Sequence, residues 1–365
     1  TGMYEMFSLW VRSHKDLPIK IYQTVSVFRY ETKTTKPLIR EREMWPFNEA
    51  HTVHATLEEA EEQIAVGIKI YMKLFQKLAL PYLLVRKPQW ELFPGAIGAI
   101  EFYALLPDGK VLETGSVNNL GQAFSRVFNI KYEKADGSHE YTYQTCYGQS
   151  ERLLASVISI HGDDHGLVLP PSISPILVVI VPIMYAENAE KIVDYAKSIE
   201  KMLRRKGFTA VLDLRELTPG EKFYYWERKG VPMRLEIGSR EVEDKTVTVV
   251  QRDMLAREVV HLNEMTKRIR RTLREIHRDM LKRAKESMKA NIILESNLAN
   301  LTKHRKRRAV AKAYWCRSEK CRNEIESQTK MNIIGLSVKY RIDKRKRCIV
   351  CGEQAKEIVY IAKSY

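Results

Sequence analysis

The sequence lacks any apolar run long enough to cross a membrane. A membrane-spanning helix needs roughly 20 consecutive apolar residues. The longest run here, Ile176 to Ile183, has the length of a strand and contains Pro182. The first residues, TGMYEMF, do not resemble a secretory signal. A hydrophobic fraction of 44% and a mean hydropathy of -0.35 are typical of a globular protein, and we expect no membrane partner.

Cysteine is scarce, with 5 residues in the chain. Cys146 stands alone, whereas the others form two short pairs, Cys316 with Cys321 and Cys348 with Cys351. Four thiolates at this spacing are typical of a tetrahedral, structural zinc site. Two disulfides are the alternative, but the reducing cytoplasm that we expect for a chain without a secretory signal disfavours them. A stand-alone zinc ribbon that binds DNA has similar spacing, but the long chain before it argues against a DNA partner.

Acidic residues are outnumbered, since 45 Asp and Glu stand against 61 Lys and Arg and give a formal net charge of +16. This excess fits a polyanionic partner such as RNA, although basic proteins of other kinds share it. Basic residues are dense between Lys267 and Arg283, and an apolar stripe that steps by three or four residues runs from Leu262 to Ala284. The pattern predicts a long helix that packs on one side. For its basic side, we favour a solvated face over a dedicated RNA-binding surface.

The chain of 365 residues is long enough for two or three domains, and its patterns divide into three regions. Residues 1–169 mix short strands with a helix predicted at 56–80 and a hairpin around Pro107-Asp108-Gly109. Residues 170–260 alternate strands with a helix predicted at 187–205, which indicates a small α/β domain. Residues 261–365 hold the long basic helix, the cysteine pairs and a last strand at 357–362.

The stretch FRYETKTTKPLIREREMWPFNEAHTVH, residues 28–54, carries the most specific signal. Arg29 and Glu31 continue a strand pattern, and the strand period of two sends both to one face. That face offers a planar cation for a phosphate or carboxylate and an acceptor for an amine. A solvated hairpin is the simpler alternative. However, the segment resembles motif 2 of class II aminoacyl-tRNA synthetases, and FNEAHTVHAT resembles the version in prolyl-tRNA synthetases of the archaeal and eukaryote-like type.

This resemblance runs over essentially the whole chain and implies a nucleotide site. LETGSVNNLGQ, residues 112–122, is similar to the family's LQAGTSHFLGQ, and CYGQSER, residues 146–152, resembles motif 3. Carboxylate attack on the α-phosphorus needs no general base, because fixed arginines and a phosphate-bridging Mg²⁺ stabilise the charge. The implied ATP-binding residues are Arg29, Glu31, Arg40, Glu41, Glu113, Ser116, Ser150 and Arg152, with Arg29 and Arg152 catalytic.

The resemblance also implies a proline pocket. Its expected residues are Arg29, Phe47, Glu49, His51, Asn118 and Cys146. Four positions depart from the family pattern: Phe47 replaces Trp, Glu113 replaces Gln, Ser116 replaces Thr and Asn118 replaces His. These changes alter hydrogen bonding to proline but not the reaction class. Metal binding or simple packing is the alternative for His51 and His54, and Cys146 is expected to be a pocket wall rather than a nucleophile.

In the second region, residues 220–241 (GEKFYYWERKGVPMRLEIGSRE) resemble the anticodon-binding domain shared by prolyl, threonyl, histidyl and glycyl enzymes. The resemblance implies that Phe223, Glu227, Arg234 and Arg240 face the anticodon of tRNA(Pro). An aromatic ring stacks on an unpaired base, while Arg and Glu read base edges. Core packing of Phe223 and a solvated helix face for Glu227 are the alternatives.

The resemblance also covers the last residue and the segment at 161–166, but some motifs of the family are not found. Tyr365 matches a terminal tyrosine that is thought to reach the catalytic domain, and HGDDHG, residues 161–166, is expected to be structural rather than metal-binding. Motif 1 and the complete Thr-x-Glu loop are not found, so we expect a part of a longer enzyme. No large insertion separates His54 from Cys146, so a bacterial-type editing domain is not expected. The family implies a homodimer.

The expected fold is α+β and α/β multidomain. It combines an antiparallel class II catalytic domain (1–169), an α/β anticodon-binding domain (170–260) and a C-terminal zinc-containing α/β domain (261–365). The expected function is ATP-dependent activation of L-proline and its transfer to tRNA(Pro). The alternative is a catalytically impaired synthetase-like RNA-binding protein, which the presence of Arg29, Glu31 and Arg152 disfavours. A threonyl enzyme would need a Cys/His zinc set in the pocket, which the sequence does not show.

Overall fold

The computed structural model of the chain describes residues 2–32, 34–184, 188–307, 309–338 and 342–365, with the backbone alone for 304–307. The helices are α1 (Gly2–Trp10), α2 (Leu57–Lys77), α3 (Ala123–Val127), α4 (Arg152–His161), α5 (Ala189–Arg205), α6 (Pro219–Arg228), α7 (Ser239–Glu243), α8 (Leu262–Ala290), α9 (Leu298–Arg307) and α10 (Glu319–Thr329). Within these residues, no helix is both long and apolar enough to span a membrane.

The strands are short to medium in length. They are β1 (Ile19–Phe28), β2 (Glu43–His54), β3 (Leu83–Arg86), β4 (Gly98–Leu105), β5 (Val111–Gly121), β6 (Lys131–Glu133), β7 (His139–Tyr141), β8 (Tyr143–Gln149), β9 (Val178–Pro182), β10 (Ala210–Leu212), β11 (Met233–Ile237), β12 (Thr246–Gln251), β13 (Arg257–His261), β14 (Ile292–Glu295), β15 (Val310–Trp315), β16 (Asn332–Ser337) and β17 (Glu357–Ala362).

The chain forms two compact units. One comprises Thr1–Leu74, Tyr82–Ser156 and Ser287–Tyr365, and the other comprises Phe75–Pro81 and Val157–Glu286. The domain boundaries after residues 169 and 260 stay predictions.

The first unit is built on a ten-stranded sheet in the order β1-β2-β8-β5-β4-β3-β16-β17-β15-β14. Neighbouring strands run antiparallel except β14 and β15, which confirms the predicted antiparallel sheet. The C-terminal strands join the others through β16 and β3, where Leu336 lies opposite Arg86. A side chain at Gly335 would meet Val85 at 2.4 Å, so glycine permits this approach. The sequence did not predict the continuity.

Helix α2 covers one face of this sheet and begins close to its predicted start. Thr56 caps it, since its hydroxyl accepts from the Glu59 amide at 3.2 Å. Tyr71 packs edge-on against Phe102 at a centroid distance of 5.8 Å. The opposite face of β2, β8 and β5 is thereby left for the cleft described below.

The second unit has a five-stranded sheet in the order β10-β9-β11-β12-β13, with the first three strands parallel. Helix α5 occupies most of the predicted span, and residue 187 of that prediction lies outside the described residues. Leu262, the first residue of the predicted stripe on α8, is partly buried. The rest of the stripe is confirmed, because these side chains are buried: Met265, Ile269, Leu273, Ile276, Met280 and Ala284. All of them except Ala284 belong to the core cluster of this sheet.

Candidate active site

A cleft of about 260 Å³ lies on one face of β2, β8 and β5. It brings together ten predicted residues: Arg29, Phe47, Glu49, His51, Glu113, Ser116, Asn118, Cys146, Ser150 and Arg152. Three predicted residues do not line the cleft: Glu31, Arg40 and Glu41. They lie in the loop that joins β1 to β2.

Strand register explains why residues far apart in sequence meet there. Two rows cross the three strands, one of His51, Cys146 and Asn118, and the other of Glu49, Gly148 and Ser116. The rows are two residues apart on every strand, so all six positions face the same side. Gly148 keeps this floor open, because a Cβ there would lie 3.1 Å from the Phe47 ring.

At one end of the floor, Glu49 and His51 form a polar pair. The Glu49 carboxylate lies 3.4 Å from Nε2 of His51 and also accepts a hydrogen bond from Gln23. The bond to His51, followed by that to Gln23, holds the pKa of Glu49 below its ordinary value despite its burial. Nδ1 of His51 is buried without a hydrogen-bond partner among the described residues. Gln23 was not predicted, since only the pairing of β1 with β2 places it opposite Glu49.

The neighbouring wall is neutral. Burial raises the pKa of the Cys146 thiol to about 12, as suits a wall rather than a nucleophile. The Asn118 amide donates to the Ser116 hydroxyl at 3.1 Å and to the Cys146 carbonyl at 3.4 Å. Both bonds use the amide nitrogen of Asn118, and neither involves its amide oxygen.

Arg152 dominates the other end of the cleft, at the first turn of α4. Its Nε donates to the Ile39 carbonyl at 2.9 Å, and its Nη1 donates to the Glu113 carbonyl at 3.3 Å. The same Nη1 lies 3.8 Å from the Glu113 carboxylate. Arg152 therefore ties the β1–β2 loop to β5, beside the Ser150 hydroxyl that accepts from its amide.

The loop is held further by its own polar residues and by the C-terminus. Nε of Arg40 lies 3.9 Å from Glu31, and the Glu41 carboxylate accepts from the Leu38 amide at 2.6 Å. Lys36 places its ammonium 4.7 Å from the centre of the Tyr365 ring. The Tyr365 hydroxyl donates to Asp108 at 2.5 Å, so the last residue links this loop to the β4–β5 hairpin.

In the second unit, three of the four predicted anticodon residues form one network. Arg234 donates to Glu227 at 2.7 Å and to Glu236 at 3.0 Å, and its guanidinium lies 4.0 Å from the centre of the Phe223 ring. Arg234 is only 8% exposed, whereas Arg240 is exposed on α7.

Ion pairs hold the HGDDHG segment, for which a structural role stays a prediction. Asp163 receives a two-pronged ion pair from Arg252, with distances of 2.6 and 2.7 Å. His165 lies 3.5 Å from Glu227. Burial lowers the pKa of His161 to about 4, so its imidazole is neutral near pH 7.

The four paired cysteines converge, with their sulfur atoms all within 4.8 Å of one another. The sulfurs of Cys316 and Cys351 are 3.7 Å apart, and all four thiols are free. Four sulfurs at about 2.3 Å from a tetrahedral zinc ion would be spaced by about 3.8 Å, so the donor set fits this metal. The cluster can hold a metal ion.

Comparisons with known families and proteins agree along the chain. Residues 1–161 match the tRNA synthetase class II core domain (G, H, P, S and T), residues 177–272 an anticodon binding domain, and residues 299–365 the prolyl-tRNA synthetase C-terminal family. The proline–tRNA ligase of Methanopyrus kandleri is 44% identical over 365 residues, which cover 100% of this chain and 75% of the relative. That of Pyrococcus abyssi is also 44% identical, with 100% and 77% covered.

Solved structures give the same result. Prolyl-tRNA synthetase from Cryptosporidium parvum, complexed with L-proline and AMP, superposes with a TM-score of 0.94 at 32% identity, covering all of this chain and 76% of the other. The Giardia lamblia enzyme in complex with prolyl-adenylate gives 0.96 at 34% identity, covering 100% and 77%. The chain therefore belongs to the prolyl-tRNA synthetase family of class II tRNA ligases.

Proposed function

We propose that this chain activates L-proline with ATP and transfers the prolyl group to the 3′ end of tRNA(Pro). The supporting observation is the strand register, which gathers the predicted nucleotide and amino-acid residues in one cleft. A carboxylate oxygen of proline attacks the α-phosphorus and pyrophosphate leaves. The catalytic domain is assigned to residues 1–169, the anticodon-binding domain to 170–260 and the zinc-binding domain to 261–365.

At the nucleotide end, Arg29 and Arg152 stabilise the negative charge that develops on the phosphates. Arg152 is preorganised for this role by its two carbonyl partners. Mg²⁺ bound with ATP would neutralise the leaving pyrophosphate. The remaining nucleotide contacts are assigned to Glu31, Arg40, Glu41, Glu113, Ser116 and Ser150.

At the other end, Glu49 is an anionic acceptor suited to the secondary ammonium group of proline. The unpaired Nδ1 of His51 offers a second buried polar contact. Phe47 and Cys146 supply apolar walls of the proline pocket, and Asn118 forms its far wall. Arg29 meets the prolyl carboxylate where the two ends join.

For tRNA, we assign the anticodon to the surface that carries Phe223, Glu227, Arg234 and Arg240. Arg234 organises Glu227 and Phe223 from within, and exposed Arg240 is free to reach a base edge or phosphate.

For the cysteines, we assign one structural zinc ion, bound by Cys316, Cys321, Cys348 and Cys351. Thiols used for a metal suit a reducing compartment, so we place the enzyme in the cytoplasm.

We also propose a homodimer. Strand β1 ends the sheet, and large apolar side chains are exposed on or near β1 and β2: Tyr22, Phe28, Tyr30 and Trp45. These exposed side chains at the edge of the sheet support a surface that a second copy of the chain covers. Sedimentation should give a dimer that Tyr22→Lys with Trp45→Lys dissociates, and a monomeric parent protein contradicts the proposal.

ATP–pyrophosphate exchange tests the function. With each amino acid offered separately to the full-length protein, proline should support exchange far better than the others. Charging of tRNA(Pro) should follow the same preference. No exchange with any amino acid, or a strong preference for another one, would refute the proposal.

A further inference from the structure

A buried ion pair lies just beyond the nucleotide end of the cleft, in residues that the proposed chemistry does not use. The ammonium of Lys87 lies 3.0 Å from the Glu101 carboxylate, with side chains only 11% and 9% exposed. The Tyr103 hydroxyl donates to the same carboxylate oxygen at 2.7 Å. Glu91 lies 3.4 Å from Lys87.

Register places Glu101 one strand beyond the floor of the cleft. Glu101 pairs with Ser116 across β4 and β5, so the row of Glu49, Gly148 and Ser116 continues onto β4, where Tyr103 pairs with Glu113. Burial and then the charge of Glu113 raise the pKa of Glu101 to about 7, against the opposing effect of Lys87. The negative charge of Glu113 therefore disfavours ionisation of Glu101.

We propose that Lys87 is a positioning residue for ATP that acts through Glu101, since its ammonium cancels a carboxylate charge that would otherwise repel the triphosphate. The inference rests on the proposed function, because it needs ATP in the cleft. Lys87 keeps its charge although burial opposes it, since Glu101 raises the pKa of Lys87 above its ordinary value.

Residues next to the cysteines hold the segment that carries Lys87. Arg86 shares the Glu357 carboxylate with Arg317, which follows Cys316. Trp90 packs edge-on against Trp315 at 5.3 Å, and its ring lies 4.7 Å from the guanidinium of Arg322. Contacts of Arg86 and Trp90, which lie before and after Lys87 in sequence, therefore hold the segment that carries the Lys87 ammonium.

The test is KM for ATP in pyrophosphate exchange at pH 9, where Glu101 of the parent is ionised. In Lys87→Met, no ammonium balances that charge, so KM for ATP should rise about 15-fold. A unit charge roughly 10 Å away at an effective dielectric near 20 has this effect. KM for proline should not change. The other titratable groups beside the pair, Glu91, Tyr103 and Glu113, remain in every variant.

Two further variants separate this role from a structural one. At pH 9, Lys87→Met/Glu101→Gln should restore the parental KM for ATP, and Glu101→Gln alone should lower it, because Lys87 then attracts the nucleotide. A structural role predicts that both single variants weaken ATP binding. Lys134→Met, which removes an exposed ion pair with Glu140 at 3.2 Å in the same unit, is the control for the loss of a lysine charge and should change nothing. Single variants that shift KM in the same direction overturn the inference, whereas a parent without exchange overturns the proposed function instead.

Discussion

Replacement of Arg152 tests the nucleotide end of the cleft most directly. The guanidinium bonds two carbonyls, at 2.9 and 3.3 Å, and lies 3.8 Å from the Glu113 carboxylate. Loss of one preorganised donor costs about 10² to 10³ in kcat. Arg152→Ala also frees the Ile39 carbonyl and with it the β1–β2 loop, so we expect exchange to fall by about 10³ or more.

Arg152→Lys and Arg126→Ala make this test specific. Lys keeps the charge but cannot span both carbonyls, so it should retain more activity than Ala. Arg126 is an arginine on α3 outside the cleft lining, and Arg126→Ala should be silent. Each variant is assayed by ATP–pyrophosphate exchange and by thermal unfolding. An Arg152→Ala protein that folds normally and exchanges within tenfold of the parent refutes the assignment.

Three further predictions concern tRNA, the metal and pH. Arg234→Ala should weaken tRNA charging but not exchange, and it should lower the unfolding free energy by about 2 kcal/mol because Glu227 and Glu236 lose a buried partner and keep only His165 and the exposed Arg257 among the described residues; equal losses in both assays would mean that it acts through folding. Elemental analysis should find one zinc per chain, and Cys348→Ser should destabilise the C-terminal region before activity falls; a metal-free active protein contradicts this. Burial lowers the pKa of His54 to about 4, so the unfolded chain binds more protons below about pH 6.5, and His54 should contribute a loss of about 3 kcal/mol in the unfolding free energy between pH 6.5 and 4, beside that of His161. His54→Gln should remove this contribution and leave that of His161, whereas His14→Gln should leave the dependence unchanged, as urea unfolding at each pH will show.

The predicted cleft residues came from the resemblance of the motifs to those of a known family, and strand period alone accounts for only part of the cleft. Glu49 and His51 are two residues apart on one strand, so their shared face follows from period alone. The meeting of His51, Cys146 and Asn118 depends on pairing between three strands, which spacing does not encode. Gln23 and Glu101 were missed for the same reason, since each gains its meaning from the residue opposite it.

The anticodon residues show a different limit of sequence patterns. Arg234 and Arg240 are chemically identical, yet one is buried between two carboxylates and the other is exposed. Strand β11 is buried on both faces, so alternation could not indicate which way Arg234 points. Ion pairs with Glu227 and Glu236 set the environment of Arg234. Only folding brings these three side chains together.

The joined sheet links the cysteine region to the cleft in a way that a separate domain would not. Strand β16 pairs with β3, and β3 pairs with β4, whose Glu101 lies beside Ser116 of the cleft. Any metal that stabilises the cysteine cluster therefore also stabilises the strand next to the cleft floor. A structural ion with no open coordination position would in this way support ATP binding without contacting ATP, and its loss should raise KM for ATP before it lowers kcat.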